Sequence, residues 1–223
     1  MIFFYKASAV VFLALLLSAC AAPTVSFVVS SPKIVEDIKS NIVVPLSYEA
    51  TWNKMVKNLS DRFFVINNID KVSRIINVSY YSENAEDFID CGTATTSVSG
   101  EPNQTISLAE DQSFPVAAWT DIAWGRGYVM RSRDVAVEGR INIYVAPLDD
   151  QTEIKVNSKY IVTVNEQNSL TQPIDTGLTG FSLPPFKTYK LTFNTNGRSS
   201  GHMICTSNGQ LEREVLDTVR IGL

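Results

Sequence analysis

Histidine and cysteine are scarce in this chain of 223 residues, which has one histidine, His202, and three cysteines. No two cysteines have the C-x-x-C spacing of zinc or dithiol redox sites, so we expect no metal and no other cofactor. A hydrolase needs a nucleophile beside a base and an orienting group, and His202 stands alone in a Gly/Ser-rich turn. The sequence therefore predicts no catalytic residue and a protein that is not an enzyme.

Basic residues are not in excess either. The chain has 19 Lys and Arg against 23 Asp and Glu, which gives a net charge of −4, and no basic stripe runs along it. Because nucleic-acid binding depends on neutralising phosphates, we expect no nucleic-acid partner. The apolar run at 7–17 is shorter than the roughly 20 residues that span a bilayer. With 45% hydrophobic residues, the chain can still bury a sizeable core.

The first 20 residues have the parts of an export signal. A short n-region ends at Lys6, the apolar run follows, and Leu17-Ser18-Ala19-Cys20 closes it. This ending resembles the lipobox of bacterial lipoproteins, in which the cysteine receives a diacylglycerol and becomes the first residue after cleavage. The resemblance implies a signal peptide at 1–19, lipidation of Cys20 and attachment to a membrane. Cleavage without lipidation is the alternative.

The residue after the cysteine bears on which membrane holds the protein. In enteric-type lipoproteins an aspartate there retains the protein in the inner membrane, whereas this chain has Ala21. The resemblance therefore implies an outer-membrane lipoprotein that faces the periplasm, while the inner membrane and the cell surface stay open. Residues 20–39 include Pro23 and Pro32 and are predicted to be a lipidated tether, unless residues 25–29 form an edge strand.

Periodic patterns predict an α+β domain at 40–223. Helices are predicted at 47–60, with Ser47 as N-cap, and at 209–220, with Ser207 and Gln210 as a capping box. Strands are predicted at 62–67, 73–80, 88–93, 135–145, 154–164 and 187–194. All these strands are expected to be antiparallel neighbours in a curled sheet, with both helices packed on one face.

Two ranges lack clear periodicity. Residues 81–131 are predicted to be a long irregular insertion, and 165–185 a second polar loop. The insertion holds two of the three tryptophans, Trp119 and Trp124. Tryptophan is enriched at protein interfaces, so these side chains are candidates for contact with a partner. Packing over the core is the alternative.

Cys91 and Cys205 remain once Cys20 is assigned to lipid. An even pair of cysteines in an exported protein can be oxidised, so a disulfide between them is predicted. A pair of buried free thiols is the alternative. A metal site is not expected, because His202 is the only imidazole available.

Three short motifs stand on the predicted helices and strands. They are Tyr48-x-x-x-Trp52 on the first helix, Ile75-Ile76-Asn77-Val78 in the first hairpin and Cys205-x-x-Asn208-Gly209 before the last helix. Together with the lipobox, this resembles the helix-grip domains of a lipoprotein component of the outer-membrane β-barrel assembly machinery and of related lipoproteins. The resemblance implies a helix-grip-like architecture.

It also implies a structural or adaptor role in an outer-membrane or envelope-spanning assembly, with the membrane and an envelope protein as partners. A small-molecule or lipid-binding module is the alternative, because a sheet curled around a helix can enclose an apolar cavity. A cavity between the long hairpin and the last helix would favour this alternative. A solid core with exposed aromatic loops would favour the adaptor.

Overall fold

The computed structural model describes residues 25–62, 64–98, 100, 102–121, 125–170, 187–201 and 203–220, with side chains throughout except at 25, 115–121, 125–129 and 169–170. The helices within these ranges are Tyr48–Ser60 (α1), Gln210–Arg220 (α2) and a 3₁₀ turn at Ala85–Asp87. The strands are Val25–Ser30 (β1), Asn41–Val44 (β2), Val65–Asp70 (β3), Ile75–Ser82 (β4), Ile89–Asp90 (β5), Thr93–Val98 (β6), Gln104–Ser107 (β7), Gln112–Asp121 (β8), Gly125–Leu148 (β9), Gln151–Leu170 (β10), Lys187–Asn194 (β11) and Thr206–Ser207 (β12).

An antiparallel sheet of seven strands organises the fold. Its main order is β11-β10-β9-β4-β3, β2 also pairs with β10 and β8 also pairs with β9. Both helices pack on one face of this sheet, where the alternating apolar residues of the β9–β10 hairpin are buried. The helix α2 approaches β9 so closely that a Cβ on Gly139 would lie 2.4 Å from Cδ2 of Leu211. The α+β class predicted from the sequence is confirmed.

The first helix follows its sequence signals. The Ser47 hydroxyl accepts a hydrogen bond from the Ala50 amide at 3.4 Å, as expected of an N-cap. Trp52, Met55 and Leu59 are buried, so the predicted apolar stripe faces the sheet. The β9–β10 turn is a tight two-residue connection formed by Asp149 and Asp150, in which Asp149 has a positive φ of 51°.

The start of the second helix differs from the predicted capping box. The Gln210 amide donates a hydrogen bond to Oδ1 of Asn208 at 2.9 Å. The Ser207 hydroxyl instead accepts from the Gly209 amide and donates to the Tyr160 phenol. Glu212, in the first turn of this helix, is fully buried. The reason is a buried polar cluster that anchors α2 to the sheet.

In that cluster, the carboxylate of Glu212 accepts from the Tyr160 phenol at 2.8 Å and from the Thr195 hydroxyl at 2.9 Å. Burial and the adjacent Glu212 carboxylate raise the pKa of Tyr160 well above its ordinary value, so its phenol stays a donor. Because each buried polar group has a partner, the cluster fixes where α2 crosses β10.

Three predictions about irregular segments need correction. The range 81–131 is not confirmed as irregular, since its described part holds β5 to β8 and the start of β9. The strand β10 continues to Leu170, into the predicted loop. The tether prediction gives way to its alternative, because β1 pairs with β6 from Val25 onward. The strand β6 was not predicted because it consists almost wholly of threonine, serine and alanine, and β8 was not predicted because Pro115 stands at a β-bulge.

Candidate functional site

A cavity of about 670 Å³ opens where β1, the outer parts of β9 and β10, the start of β11 and the loop at 201–204 meet. This volume is within the range of small-molecule sites, about 300–1,000 Å³. One side of the cavity is apolar and includes Phe27, Val29, Leu108, Met203 and Ile204. Most of the other lining residues are polar or charged, and we refer to them as the polar side of the cavity.

Arg133 and Glu166 form the base of the polar side. Arg133 donates from Nε and Nη2 to the same carboxylate oxygen, Oε1 of Glu166, at 3.1 and 2.8 Å. Their side chains are only 6% and 13% exposed. The remaining guanidinium nitrogen, Nη1 of Arg133, is buried and has no hydrogen-bond partner in the part of the chain that the structure describes. Such a buried, incompletely satisfied cation is costly unless something else compensates for it.

An aromatic ring also contacts the Arg133 guanidinium. Its Cζ lies 5.4 Å from the centroid of the Phe114 ring, within the range of a cation–π contact. Phe114 in turn stacks on Phe27, with the ring centroids 6.0 Å apart and the planes 4° from parallel. This stack joins β1, the first strand of the described residues, to β8, and β1 is part of the cavity wall.

Tyr189 and Lys187 of β11 close the polar side. The Tyr189 phenol donates to Oε1 of Glu166 at 3.3 Å. Burial, followed by the negative charge of Glu166, raises the pKa of Tyr189 to about 12, so the phenol stays protonated at neutral pH. The ammonium of Lys187 lies 5.6 Å from the centroid of the Tyr189 ring.

The charges of the lining residues do not balance. Arg131, Arg133 and Lys187 are cationic and only Glu166 is anionic, which leaves an excess of two positive charges in a chain whose net charge is −4. Arg131 donates to Oδ1 of Asn168 at 3.2 Å, which orients its guanidinium without neutralising it. The cavity is therefore suited to a ligand with an apolar part and a negatively charged group.

The two remaining cysteines lie at the edge of this cavity. Their sulfur atoms are bonded at 2.00 Å, and the Cα atoms of Cys91 and Cys205 are 4.0 Å apart. Cys91 is itself a lining residue, and the loop with Met203 and Ile204 directly precedes Cys205. The disulfide thus fixes one wall of the cavity to the short β5–β12 pair.

Several residues singled out in the sequence do not contribute to this description. Cys20, Trp124 and His202 lie outside the described residues. Trp119 lies on β8, where its backbone pairs with Gly127, and its side chain is not described.

The run Gly197-Arg198-Ser199-Ser200-Gly201 has the letters of the G-x-S-x-G motif, whose serine stands on a strand-to-helix turn in α/β-hydrolases. Here the run lies between β11 and β12. The Ser199 hydroxyl is buried, donates to the Met203 carbonyl at 2.9 Å and accepts from the Cys205 amide at 2.8 Å. Ser199 therefore closes a turn beside the disulfide.

The cavity residues themselves were missed by sequence reasoning, although a signal exists. Val135 and Val137 alternate along the buried face of β9, and the same alternation continues backward to Arg133 and Arg131. On β10 it continues forward from Val164 to Glu166, which is the register partner of Arg133. Charged residues that continue the alternation of buried residues along a strand indicate a polar site at the end of the core.

Among the described residues, no group of three or more His, Cys, Asp or Glu side chains is arranged to hold a metal ion. In the same part of the chain, no helix has the length and apolar character needed to cross a membrane. Comparison with protein-family models, with curated proteins and with solved structures gives no match for this chain.

Proposed function

We propose that this chain is a membrane-anchored periplasmic lipoprotein whose domain binds an amphipathic anion, a molecule with an apolar tail and a carboxylate or similar acid group. The observation that carries this proposal is the cavity with one apolar side and an excess of two positive charges in an acidic chain. Apolar burial supplies most of the affinity of such sites, and a few charged groups fix the ligand's orientation.

The cavity does not lie between the long hairpin and the last helix, where the sequence suggested that a cavity could form. The contact between the long hairpin and α2 is filled by buried side chains, among them Tyr160, Leu211 and Val215. The cavity instead lies beside β1, which begins five residues after Cys20. Five residues reach at most about 18 Å, so lipidation of Cys20 would hold the Phe27 wall near the membrane surface. A ligand drawn from the membrane is consistent with this position.

The first prediction tests the cationic side of the cavity. Dansyl-undecanoic acid should bind the purified domain and brighten as its fluorophore leaves water, while its uncharged methyl ester should bind more weakly. Replacing Arg131 and Lys187 together with alanine should weaken binding of the acid by roughly tenfold, because two charge-assisted contacts are lost. Fluorescence titration measures both affinities.

The matched control is Lys190→Ala, which removes one exposed cation from the same strand as Lys187 but outside the cavity lining. Its affinity for the acid should equal that of the unaltered protein. Equal affinities for acid and ester, or equal losses in the control and cavity variants, would show that the cavity does not recognise an anion.

A second prediction concerns the anchor. Cys20→Ser should move the protein from the membrane fraction to the soluble fraction, because stable anchoring requires more than one acyl chain and lipoprotein modification supplies them on Cys20. Sedimentation after a salt wash measures the distribution. The paired replacement of Cys91 and Cys205 with serine should leave the protein on membranes. Full co-sedimentation of Cys20→Ser would contradict the assignment.

The finer architecture belongs to the same proposal. We infer a helix-grip-like arrangement at 40–223, supported by the antiparallel order β10-β9-β4-β3 and by the two helices that lie on one face of these strands. The first helix precedes the β3–β4 hairpin, and the second follows the last strand. In this arrangement β1, β6 and β7 are additions, and β1 supplies part of the cavity wall.

An adaptor role in an envelope assembly is the second candidate function. It is favoured by the ribbon of β8, β9 and β10, in which residues 125–134 of β9 pair only with β8 and β10 among the described strands. Such a ribbon can reach a partner away from the core. Photocrosslinking from Thr120 to a single envelope protein would support this function, and reaction with solvent alone would count against it.

A further inference from the structure

Four asparagines form one row across the outer face of the sheet, the face opposite the helices. Asn68 on β3 pairs with Asn77 on β4, Asn77 with Asn142 on β9, and Asn142 with Asn157 on β10. Directly paired residues point to the same face, and neighbouring strands lie about 4.8 Å apart. The row therefore presents four side-chain amides at regular intervals. Asn68, Asn142 and Asn157 are exposed, and Asn77 is half-buried.

This row is not explained by the stability of the sheet. Asparagine is depleted in strands, and the solvent face of a central strand such as β9 would be better served by threonine. No hydrogen bond joins the four side chains to one another or to other described side chains, so they do not form a self-satisfied ladder. Local choices that oppose the intrinsic preference of an element are expected where function requires them.

The residues beside the row add two further kinds of contact. On one side lies Tyr144, which is 37% exposed and offers an aromatic face. On the other side lie Arg140, whose Nε is bonded to Glu138, and Lys159, which forms no ion pair with any described residue. A groove of about 750 Å³ continues from Asn142 and Asn157 past Lys159 to Asn194 and Asn196, which adds two more amides.

We propose that this amide row and its groove bind an acidic oligosaccharide. Each carboxamide offers two donors and an acceptor oxygen, which suits sugar hydroxyls because they also donate and accept. The Tyr144 ring can pack against the C–H face of a sugar, and Lys159 with Arg140 can pair with an acid group. The strand spacing is close to the length of one sugar unit in an extended glycan. The row shares no residue with the cavity beside β1.

The test is a titration of ¹⁵N-labelled protein with tetragalacturonic acid, followed by the side-chain amide signals of asparagine. The signals of Asn142 and Asn157 should shift, and the acid should bind more tightly than the neutral probe maltotetraose. Replacing Asn142 and Asn157 together with alanine should weaken acid binding by about tenfold or more. The matched control Asn53→Ala, an exposed asparagine on α1, should not change it.

A second pair of variants separates binding from folding. Replacing Asn142 and Asn157 with threonine should raise the melting temperature, because threonine favours strands, and should still weaken acid binding. Lys159→Gln should remove most of the preference for the acid over maltotetraose. The proposal is overturned if neither probe shifts these amides up to about 10 mM, a ceiling that corresponds to negligible affinity. It is equally overturned if the threonine variants bind as well as the unaltered protein.

Discussion

Replacing Cys91 and Cys205 with serine should lower the free energy of unfolding by about 4–5 kcal/mol, the largest effect we expect from any pair of substitutions in this chain. The two residues are 114 positions apart, so the bond closes a very long loop. In the chain-entropy description, a long loop restricts the unfolded chain most. Urea denaturation followed by tryptophan fluorescence measures the loss.

Reduction of the unaltered protein is the matched control for these variants. A reductant should shift its urea midpoint toward that of the serine double variant, while the double variant should not respond to reductant. Non-reducing mass spectrometry of the exported protein should find no free thiol at either position. Two free thiols, or a midpoint that does not respond to reductant, would contradict the prediction.

The disulfide also has a consequence for the cavity. Cys91 lines it, and the neighbouring Met203 and Ile204 belong to the loop that the bond fixes. Loss of the bond should therefore weaken binding of dansyl-undecanoic acid even under conditions where the domain stays folded. An unchanged affinity would mean that this wall is held by packing alone.

The helices and strands that the sequence predicts well are those with large apolar residues at a regular period. The helix α1 was predicted nearly to its ends, and the central parts of β9 and β10 were predicted as a hairpin, because Trp52, Met55 and Leu59 in the helix and the valine and isoleucine alternation in the hairpin face a single core. The outer parts of both strands, toward Gly125 and Leu170, were not predicted. Such patterns follow from burial alone. They need no knowledge of which elements lie side by side.

The strands of the range 81–131 illustrate the opposite case. Along β6 the buried residues are Ala94, Thr96 and Val98, which give little hydrophobic contrast with their neighbours. They alternate along the strand, so one face of β6 is covered, and β6 pairs with β1 and β7 in its sheet. Sequence patterns report a residue's own polarity, so a strand whose buried face carries small or polar residues is missed.

The cavity was missed for a related reason. Arg133 and Glu166 are 33 positions apart, and only the register of β9 with β10 places them opposite each other. Taken alone, each of these residues is a charged residue in a strand that extends toward solvent. Taken as a cross-strand pair that continues the alternation of buried residues, they indicate a polar site.

Glu166→Gln should destabilise the domain by about 3–5 kcal/mol, because it leaves the Arg133 guanidinium buried without an opposing charge. The two side chains are 6% and 13% exposed, so water cannot compensate for the loss. The double substitution Arg133→Met with Glu166→Leu removes both charges and should recover most of the lost free energy. Urea denaturation of Arg133→Met, Glu166→Leu and the double variant completes the cycle, and Glu166→Gln is measured beside them.

The same cycle connects stability with the proposed ligand. An amphipathic anion seated in the cavity would supply the charge that Glu166→Gln removes, so dansyl-undecanoic acid should raise the urea midpoint of this variant more than that of the unaltered protein. The apolar double variant keeps Arg131 and Lys187, and so the same excess of two positive charges, and in it the acid should keep most of its advantage over the methyl ester. If the acid stabilises all three proteins equally, Arg133 acts only in the fold, and recognition of the anion would rest on Arg131 and Lys187 alone.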